Sequence, residues 1–200
     1  MRLTYCPFAK RTAKEMPTQG EYRKGHPEGA VVHYTAGRHN LTAIDSAIAN
    51  GLSYFLITHD GTVYQGAPLN RWGVHAGKSA YPGLGKGVSQ YLVGIELTNA
   101  GLLSEKGLAW FGQPVSDSRR IKEPRYQGEA PGLYEAYTTS QEKSLFALLQ
   151  WLKSNAPDVF SYDFVVGHNE VCVPAGRKQD PGGALSMSMP ALREALKRAR

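Results

Sequence analysis

Short β-prone runs alternate along this chain with segments of helical periodicity, and this alternation limits the possible folds more than any other feature. The β-prone runs, each four to seven residues long, are residues 30–35, 54–58, 62–65, 91–97 and 164–168. The helical segments are residues 40–51, 139–154 and a stretch from Pro190. Strands interleaved with amphipathic helices predict a mixed α/β (α+β) fold with a central mixed β-sheet flanked by helices.

Local signals predict where several of these elements begin or turn. The Asp60-Gly61 step between two β-prone runs predicts a hairpin. Thr139, with Glu142 three residues later, is expected to open the long helix as a capping box. Pro190 is expected to begin the last helix, since proline is favoured in a first turn.

The 200 residues, 42% of them hydrophobic, suffice for one packed domain. We expect that domain to span residues 30–200, with residues 1–29 forming an N-terminal arm that packs on it. Residues 99–137 lack clean periodicity but carry Trp110 and Phe111, whose rings are suited to stacking on sugar or peptide. Long segments of this kind are usually functional lids or disordered, and the aromatic residues favour a lid beside a cleft.

Composition narrows the expected partners and location. A net charge of +6 favours anionic partners, but no nucleic-acid-binding motif occurs, so we expect no nucleic acid partner. No apolar run approaches the ~20 residues of a membrane span, and the first residues lack the apolar stretch of a secretory signal. We therefore expect a monomer that is cytoplasmic when synthesised. We expect its C-terminal helix to pack on the domain and to leave its basic side in solvent, with contact of that side to an anionic membrane surface as the alternative.

Two histidines lie near the ends of predicted strands, from which side chains commonly point into a cleft. His33 and His168 each lie near the end of a β-prone run, and the loop after His168 is rich in Gly and Pro and contains a carboxylate. Two imidazoles and one carboxylate form a common catalytic zinc site. Spacing alone leaves this hypothesis open.

Five motifs between Val31 and Leu185 carry a family resemblance. They are VVHYTAG at 31–37, FLITHDGTVYQ at 55–65, WGVHAGKS at 72–79, VGIELTNAG at 93–101, and GHNEV with PAGRKQDPGGAL within 167–185. In type and order they resemble the zinc-dependent N-acetylmuramoyl-L-alanine amidases. This superfamily includes phage lysozyme-amidases, cell-wall recycling amidases and peptidoglycan recognition proteins.

The resemblance implies a zinc site and a reaction. It assigns His33, His168 and Asp180 as zinc ligands, Glu96 as the residue that holds and deprotonates the attacking water, and Lys178 as the cation that stabilises the oxyanion. The reaction would hydrolyse the amide bond between the lactyl group of N-acetylmuramic acid and L-alanine.

Other positions are less clearly defined by the resemblance. His75 matches a position that either contacts substrate or supports the site. Trp72, Asn99 and Arg177 are further candidates for substrate binding. Some relatives use cysteine as the third ligand, but Cys172 lies on the far side of the GRK stretch from Asp180, which is preferred.

Departures from the family pattern bear on the biological role. Many relatives place a catalytic tyrosine at the position of Ser53, so Tyr54 is not assumed to be catalytic. The expected role is that of a phage endolysin-type enzyme that reaches the wall by pore-assisted release or dedicated export. The alternatives are a cytoplasmic recycling amidase that acts on anhydromuropeptides and a non-catalytic peptidoglycan-binding module. The partner in each case is peptidoglycan or a muropeptide.

Overall fold

A six-stranded mixed sheet forms the centre of the computed structural model, which describes residues 2–37, 45, 48–51, 53–123 and 131–199. The strands within those residues are β1 Lys10–Arg11, β2 Gly20–Glu21, β3 Gly29–Tyr34, β4 Phe55–Ile57, β5 Val63–Gln65, β6 Arg71–Trp72, β7 Ala80–Tyr81, β8 Gly85–Lys86, β9 Leu92–Leu97, β10 Leu102–Leu103, β11 Arg120–Glu123, β12 Gly132–Glu135 and β13 Val165–Gly167. The α-helices within them are α1 Thr139–Asn155, α2 His168–Val171 and α3 Met189–Arg198. The helix expected at 40–51 lies largely outside the described residues.

The central sheet has the strand order β1-β5-β4-β9-β3-β13. Strands β4, β9, β3 and β13 run parallel, whereas β4 and β5 form the predicted antiparallel hairpin. In the turn of this hairpin, the Asp60 carboxylate accepts hydrogen bonds from the Thr58 hydroxyl and from the backbone N–H and hydroxyl of Thr62. The predicted mixed sheet flanked by helices is confirmed.

Alternation along the strands gives the sheet two different faces. Ala30 and Val32 of β3 face the main core, which also contains Val93 and Ile95 of β9 and the buried leucines of α1. Val31 points the other way, into a smaller apolar cluster. His33 follows on the side of Val31, so the polar chemistry lies on the face that carries the smaller cluster.

One predicted helix cap and two predicted element ends are wrong by one residue each. The N-cap of α1 is Thr138, which forms a capping box with Gln141, so Thr139 is already inside the helix. Glu142 instead accepts hydrogen bonds from the backbone and hydroxyl of Ser186. His168 does not end a strand but begins α2, and α3 begins at Met189 rather than Pro190.

The segment expected to be an irregular lid contains a second sheet. Strands β10, β12 and β11 pair antiparallel in that order within the described residues. Trp110 is 76% exposed, and its Nε1 donates a hydrogen bond to the Ala36 carbonyl just beyond β3. The insertion is therefore fastened at the end of the strand that carries His33.

The ends of the chain pack on the rest of the protein. In the N-terminal segment, β1 extends the central sheet along β5, and β2 pairs with β6. In α3, Leu192 and Leu196 are buried in the core, so the apolar side of this helix is used inside the protein. A membrane contact by α3 would rest on its basic side alone. No helix of the described residues has the length and apolarity needed to cross a membrane.

The cap of α1 gives a matched pair of substitutions. We expect Thr138→Ala to lower the free energy of unfolding by about 1 kcal/mol, because it removes the acceptor for the Gln141 backbone N–H. Thr139→Ala should change it by less than about 0.5 kcal/mol, because Thr139 is exposed and is not the cap. Urea unfolding measures both, and a larger loss for Thr139→Ala would contradict the assigned cap.

Candidate metal centre

Strand register places three polar side chains side by side at the carboxyl ends of parallel strands. His33 of β3 pairs directly with Glu96 of β9, and Val32 pairs with Gly167 at the end of β13. His168 follows Gly167 and therefore comes beside His33. Paired residues of neighbouring strands point to the same face, so β3 and β9 direct His33 and Glu96 to one place, and the step from β13 into α2 brings His168 against His33.

The side chains of His33, His168 and Asp180 converge on a common point. The Nδ1 atoms of the two histidines are 3.0 Å apart, and each lies 2.9 Å from Oδ2 of Asp180. All three residues are buried. A tetrahedral zinc ion with bonds of ~2.0–2.1 Å holds its ligand atoms roughly 3.3 Å apart, so the observed spacing is slightly shorter than in such a site but near it.

Hydrogen bonding alone does not account for this triangle of atoms. If Asp180 is ionised, both Nδ1 atoms need a proton to donate to it, and the two protons would then oppose each other across 3.0 Å. Moreover, Nε2 of His168 lies 3.1 Å from the Ala76 carbonyl, a contact that requires the proton on Nε2. Nδ1 of a neutral His168 then carries a lone pair, and a cation in the triangle satisfies all three contacts.

The ionised state of Asp180 follows from its surroundings. Burial opposes the charge of this carboxylate, but the adjacent His168 and His33 rings, whenever they donate a proton to it in the absence of a metal ion, outweigh burial and hold its pKa below the usual range. The loop that carries Asp180 is held against residues 76–78 of the same chain, because the Arg177 guanidinium donates hydrogen bonds to the Lys78 and Ala76 carbonyls. Arg177, expected near the substrate, thus has a visible role in holding this loop.

Glu96 is a buried carboxylate beside the triangle of donor atoms. Its Oε2 has no hydrogen-bond partner among the described residues, and the residue is only 6% exposed. Burial, followed by repulsion from Asp180, raises its pKa well above the usual range, while the Lys178 ammonium opposes the shift. A carboxylate of raised pKa is suited to accepting a proton near neutral pH.

Lys178 is an exposed cation near the site. Its side chain is exposed, and its charge acts on both Glu96 and His33. This places a cation within electrostatic range of the buried Glu96 carboxyl and His33 ring. The predicted role at an oxyanion is compatible with this position.

The remaining predicted residues occupy different surroundings. Asn99 is fully buried, where its amide donates to the Glu135 carbonyl and accepts from the Gly101 N–H, so it supports the cleft from inside the protein. Trp72 lies in β6 and packs partly buried against the core. Cys172 directs its Sγ to the Asn169 carbonyl and is not part of the donor triangle.

His75 lies next to His33, with Nδ1 of His75 3.2 Å from Nε2 of His33. Burial, together with the neighbouring His33, lowers the pKa of His75 to about 3, so its ring is neutral at physiological pH. Gly94 permits this placement, because a Cβ there would lie 2.8 Å from Cγ of His75. A glycine inside a strand signals close approach of this kind, and that signal was present in the VGIEL motif.

Sequence reasoning did not identify the groups that orient the donor atoms. The Ala76 carbonyl and the Tyr137 hydroxyl, which donates to the backbone carbonyl of His33, both hold the site in place. A backbone carbonyl has no signature in the sequence. The role of Tyr137 depends on how the insertion folds back, which the sequence pattern did not predict.

A sequence profile identifies the class of protein to which this fold and site belong. The profile of the N-acetylmuramoyl-L-alanine amidases matches residues 23–183, so the chain belongs to this family and is an amidase that acts on peptidoglycan. The expected family and enzyme class are confirmed. A search of the curated proteins gives no match.

Solved structures of the same superfamily share the fold. An AmpD selenomethionine derivative is 22% identical, with a TM-score of 0.59 over 96% of each chain. The endolysin amidase LysCS from Clostridium intestinale is 18% identical, with a TM-score of 0.56 over 97% of this chain and 98% of its own. AMPDH3 from Pseudomonas aeruginosa, in complex with an anhydromuramic pentapeptide, is 20% identical, with a TM-score of 0.55 over 92% of this chain and 64% of its own.

Two conservative substitutions test the donor set. We expect the wild-type protein to bind one zinc ion and Asp180→Asn to lose it, because the amide removes the anionic ligand. Cys172→Ser should retain zinc, since its Sγ points elsewhere. Metal analysis after dialysis checks both. Zinc lost from Cys172→Ser and kept by Asp180→Asn would contradict the assignment.

Proposed function

We propose that this amidase depends on zinc held by His33, His168 and Asp180, and that Glu96 is its general base. The observation that carries the proposal is the triangle of converging donor atoms 2.9–3.0 Å apart, with Glu96 beside it, whose Oε2 has no hydrogen-bond partner among the described residues. The bond cleaved is the amide between the lactyl group of N-acetylmuramic acid and L-alanine.

Each polar group has a defined task in this reaction. Zinc, when bound, supplies Lewis acidity that polarises the amide carbonyl and acidifies water. Glu96 takes the proton of the attacking water and passes it to the nitrogen of the leaving L-alanine. The Lys178 ammonium stabilises the negative charge that develops on the carbonyl oxygen.

The buried Glu96 carboxyl and the buried donor triangle favour an enzyme over a non-catalytic binding module. Burying Oε2 of Glu96 with no hydrogen-bond partner in the described part of the chain is costly, and recognition alone gives no reason to retain it. A complete donor set likewise serves catalysis rather than simple binding. The non-catalytic alternative therefore leaves both features unexplained.

Replacing the general base tests the mechanism. We expect Glu96→Gln to lower the rate of amide hydrolysis about 10²- to 10⁴-fold with zinc content unchanged, because the amide cannot accept the proton. Glu105→Gln, at an exposed position of the insertion, should leave the rate unaltered. Muropeptide hydrolysis followed by chromatography measures both. A wild-type rate for Glu96→Gln would contradict the assignment.

We further propose that the substrate is the polymeric wall, as for an endolysin-type enzyme. The net charge of +6 supports this, because a basic protein is attracted to anionic envelope polymers. The similarity to LysCS over nearly the whole of both chains is compatible with it. The competing recycling role is favoured by the strand glutamate Glu96 and by Ser53 in place of the catalytic tyrosine of many lytic relatives.

The substrate preference separates these two roles. We expect purified sacculi to be converted to peptide-free glycan strands and stem peptides with a free L-alanine amine. Mass spectrometry of the products, with equal amounts of sacculi and of anhydromuropeptide as substrates, measures the preference. Cleavage of anhydromuropeptide alone would overturn the wall-lytic role and leave the zinc chemistry intact.

A further inference from the structure

We propose that His75 is a positioning residue that holds His33 in the tautomer whose Nδ1 is free to bind zinc. The inference rests on the proposed zinc function and adds a residue outside the donor set. It also assigns a task to a side chain for which the family resemblance left substrate contact and support both open.

A chain of hydrogen bonds from the backbone to the donor atom fixes the protons. Nε2 of His75 lies 2.9 Å from the Leu92 carbonyl, which only accepts, so Nε2 carries the proton of this ring. Nδ1 of neutral His75 is then an acceptor, and it lies 3.2 Å from Nε2 of His33. That contact places the His33 proton on Nε2 and leaves a lone pair on Nδ1, the atom that faces Asp180 and His168.

The same series of hydrogen bonds, from the Leu92 carbonyl through His75 to His33, makes substrate contact by the His75 ring unfavourable. Both of its nitrogens already have partners inside the protein, one at Leu92 and one at His33. No ring nitrogen is left to receive a substrate group. The ring therefore acts through His33 rather than on the reacting atoms.

His75 is held firmly enough to impose this orientation. The backbone N–H groups of His75 and Ala76 both donate to the Ser89 hydroxyl, at 3.2 and 3.1 Å. The ring stands edge-on to Tyr54, with ring centroids 6.2 Å apart, and lies against Gly94. Its position is thus defined from three sides.

The Asp180 carboxylate favours the tautomer of His33 that cannot bind a metal ion, and His75 favours the other one. Without an acceptor at Nε2, His33 gains by moving its proton to Nδ1, which lies 2.9 Å from the Asp180 carboxylate. A protonated Nδ1 cannot bind a metal ion. The Ala76 carbonyl accepts from Nε2 of His168 directly and so leaves Nδ1 of His168 free. The Leu92 carbonyl has the same effect on His33 indirectly, because it orients His75, which accepts from Nε2 of His33. Groups that orient metal ligands in this way typically contribute about 10- to 100-fold to metal affinity.

A matched pair of variants tests the acceptor itself. Asparagine places an amide oxygen close to where Nδ1 of histidine lies, and leucine has the same shape without an acceptor. We expect His75→Leu to weaken zinc binding about 10- to 100-fold and to speed loss of zinc to a chelator. His75→Asn should stay within about threefold of the wild type. Circular dichroism and thermal unfolding show that each variant is folded.

Nitrogen-15 NMR of the histidine rings gives a readout that needs neither activity nor a variant. In the metal-stripped full-length wild type at pH 8, we expect the His33 proton on Nε2, and in His75→Leu on Nδ1. Wild-type His33 protonated on Nδ1 would overturn the proposal, as would equal zinc affinities of the leucine and asparagine variants. A wild type that shows the Nε2 proton but binds no zinc would instead refute the proposed zinc function.

Discussion

Parallel register between β13, β3 and β9 is the constraint on which the site depends. The pairing of His33 with Glu96, and of Val32 with Gly167, puts the base and both imidazoles on one face. A slip of one residue would turn these side chains into the apolar core. The alternation that buries Ala30 and Val32 against α1 therefore also sets the position of the donor atoms.

Stability and function oppose each other at this edge of the sheet. An unpartnered buried polar group costs about 1–3 kcal/mol, and Glu96 leaves one carboxylate oxygen in that state. In the donor triangle, donation from Nδ1 of His168 to Asp180 competes with donation from its Nε2 to the Ala76 carbonyl, so one proton on a neutral ring cannot serve both contacts. Backbone carbonyls of Ala76 and Leu92 hold the rings in place nonetheless. The surrounding fold thus maintains an arrangement that a bound cation would relieve.

The sequence predicted most of the sheet and the convergence of the two histidines, because β-prone runs and their ends leave clear local patterns. It missed the cap at Thr138, since two adjacent threonines offered the same signal and only the backbone decides between them. It also missed the three-stranded sheet of the insertion, whose two- to four-residue strands are too short to show periodicity. The orientation of His33 by His75 depends on a contact across 42 residues that no local pattern records.

Anomalous scattering at the zinc edge, from crystals of the zinc-loaded protein, locates the metal relative to the three donor atoms. We expect one strong peak bonded to Nδ1 of His33, Nδ1 of His168 and Oδ2 of Asp180, at about 2.0–2.2 Å from each. A peak bonded through Nε2 of either histidine or through Sγ of Cys172 would contradict it. So would a map with no peak between these side chains.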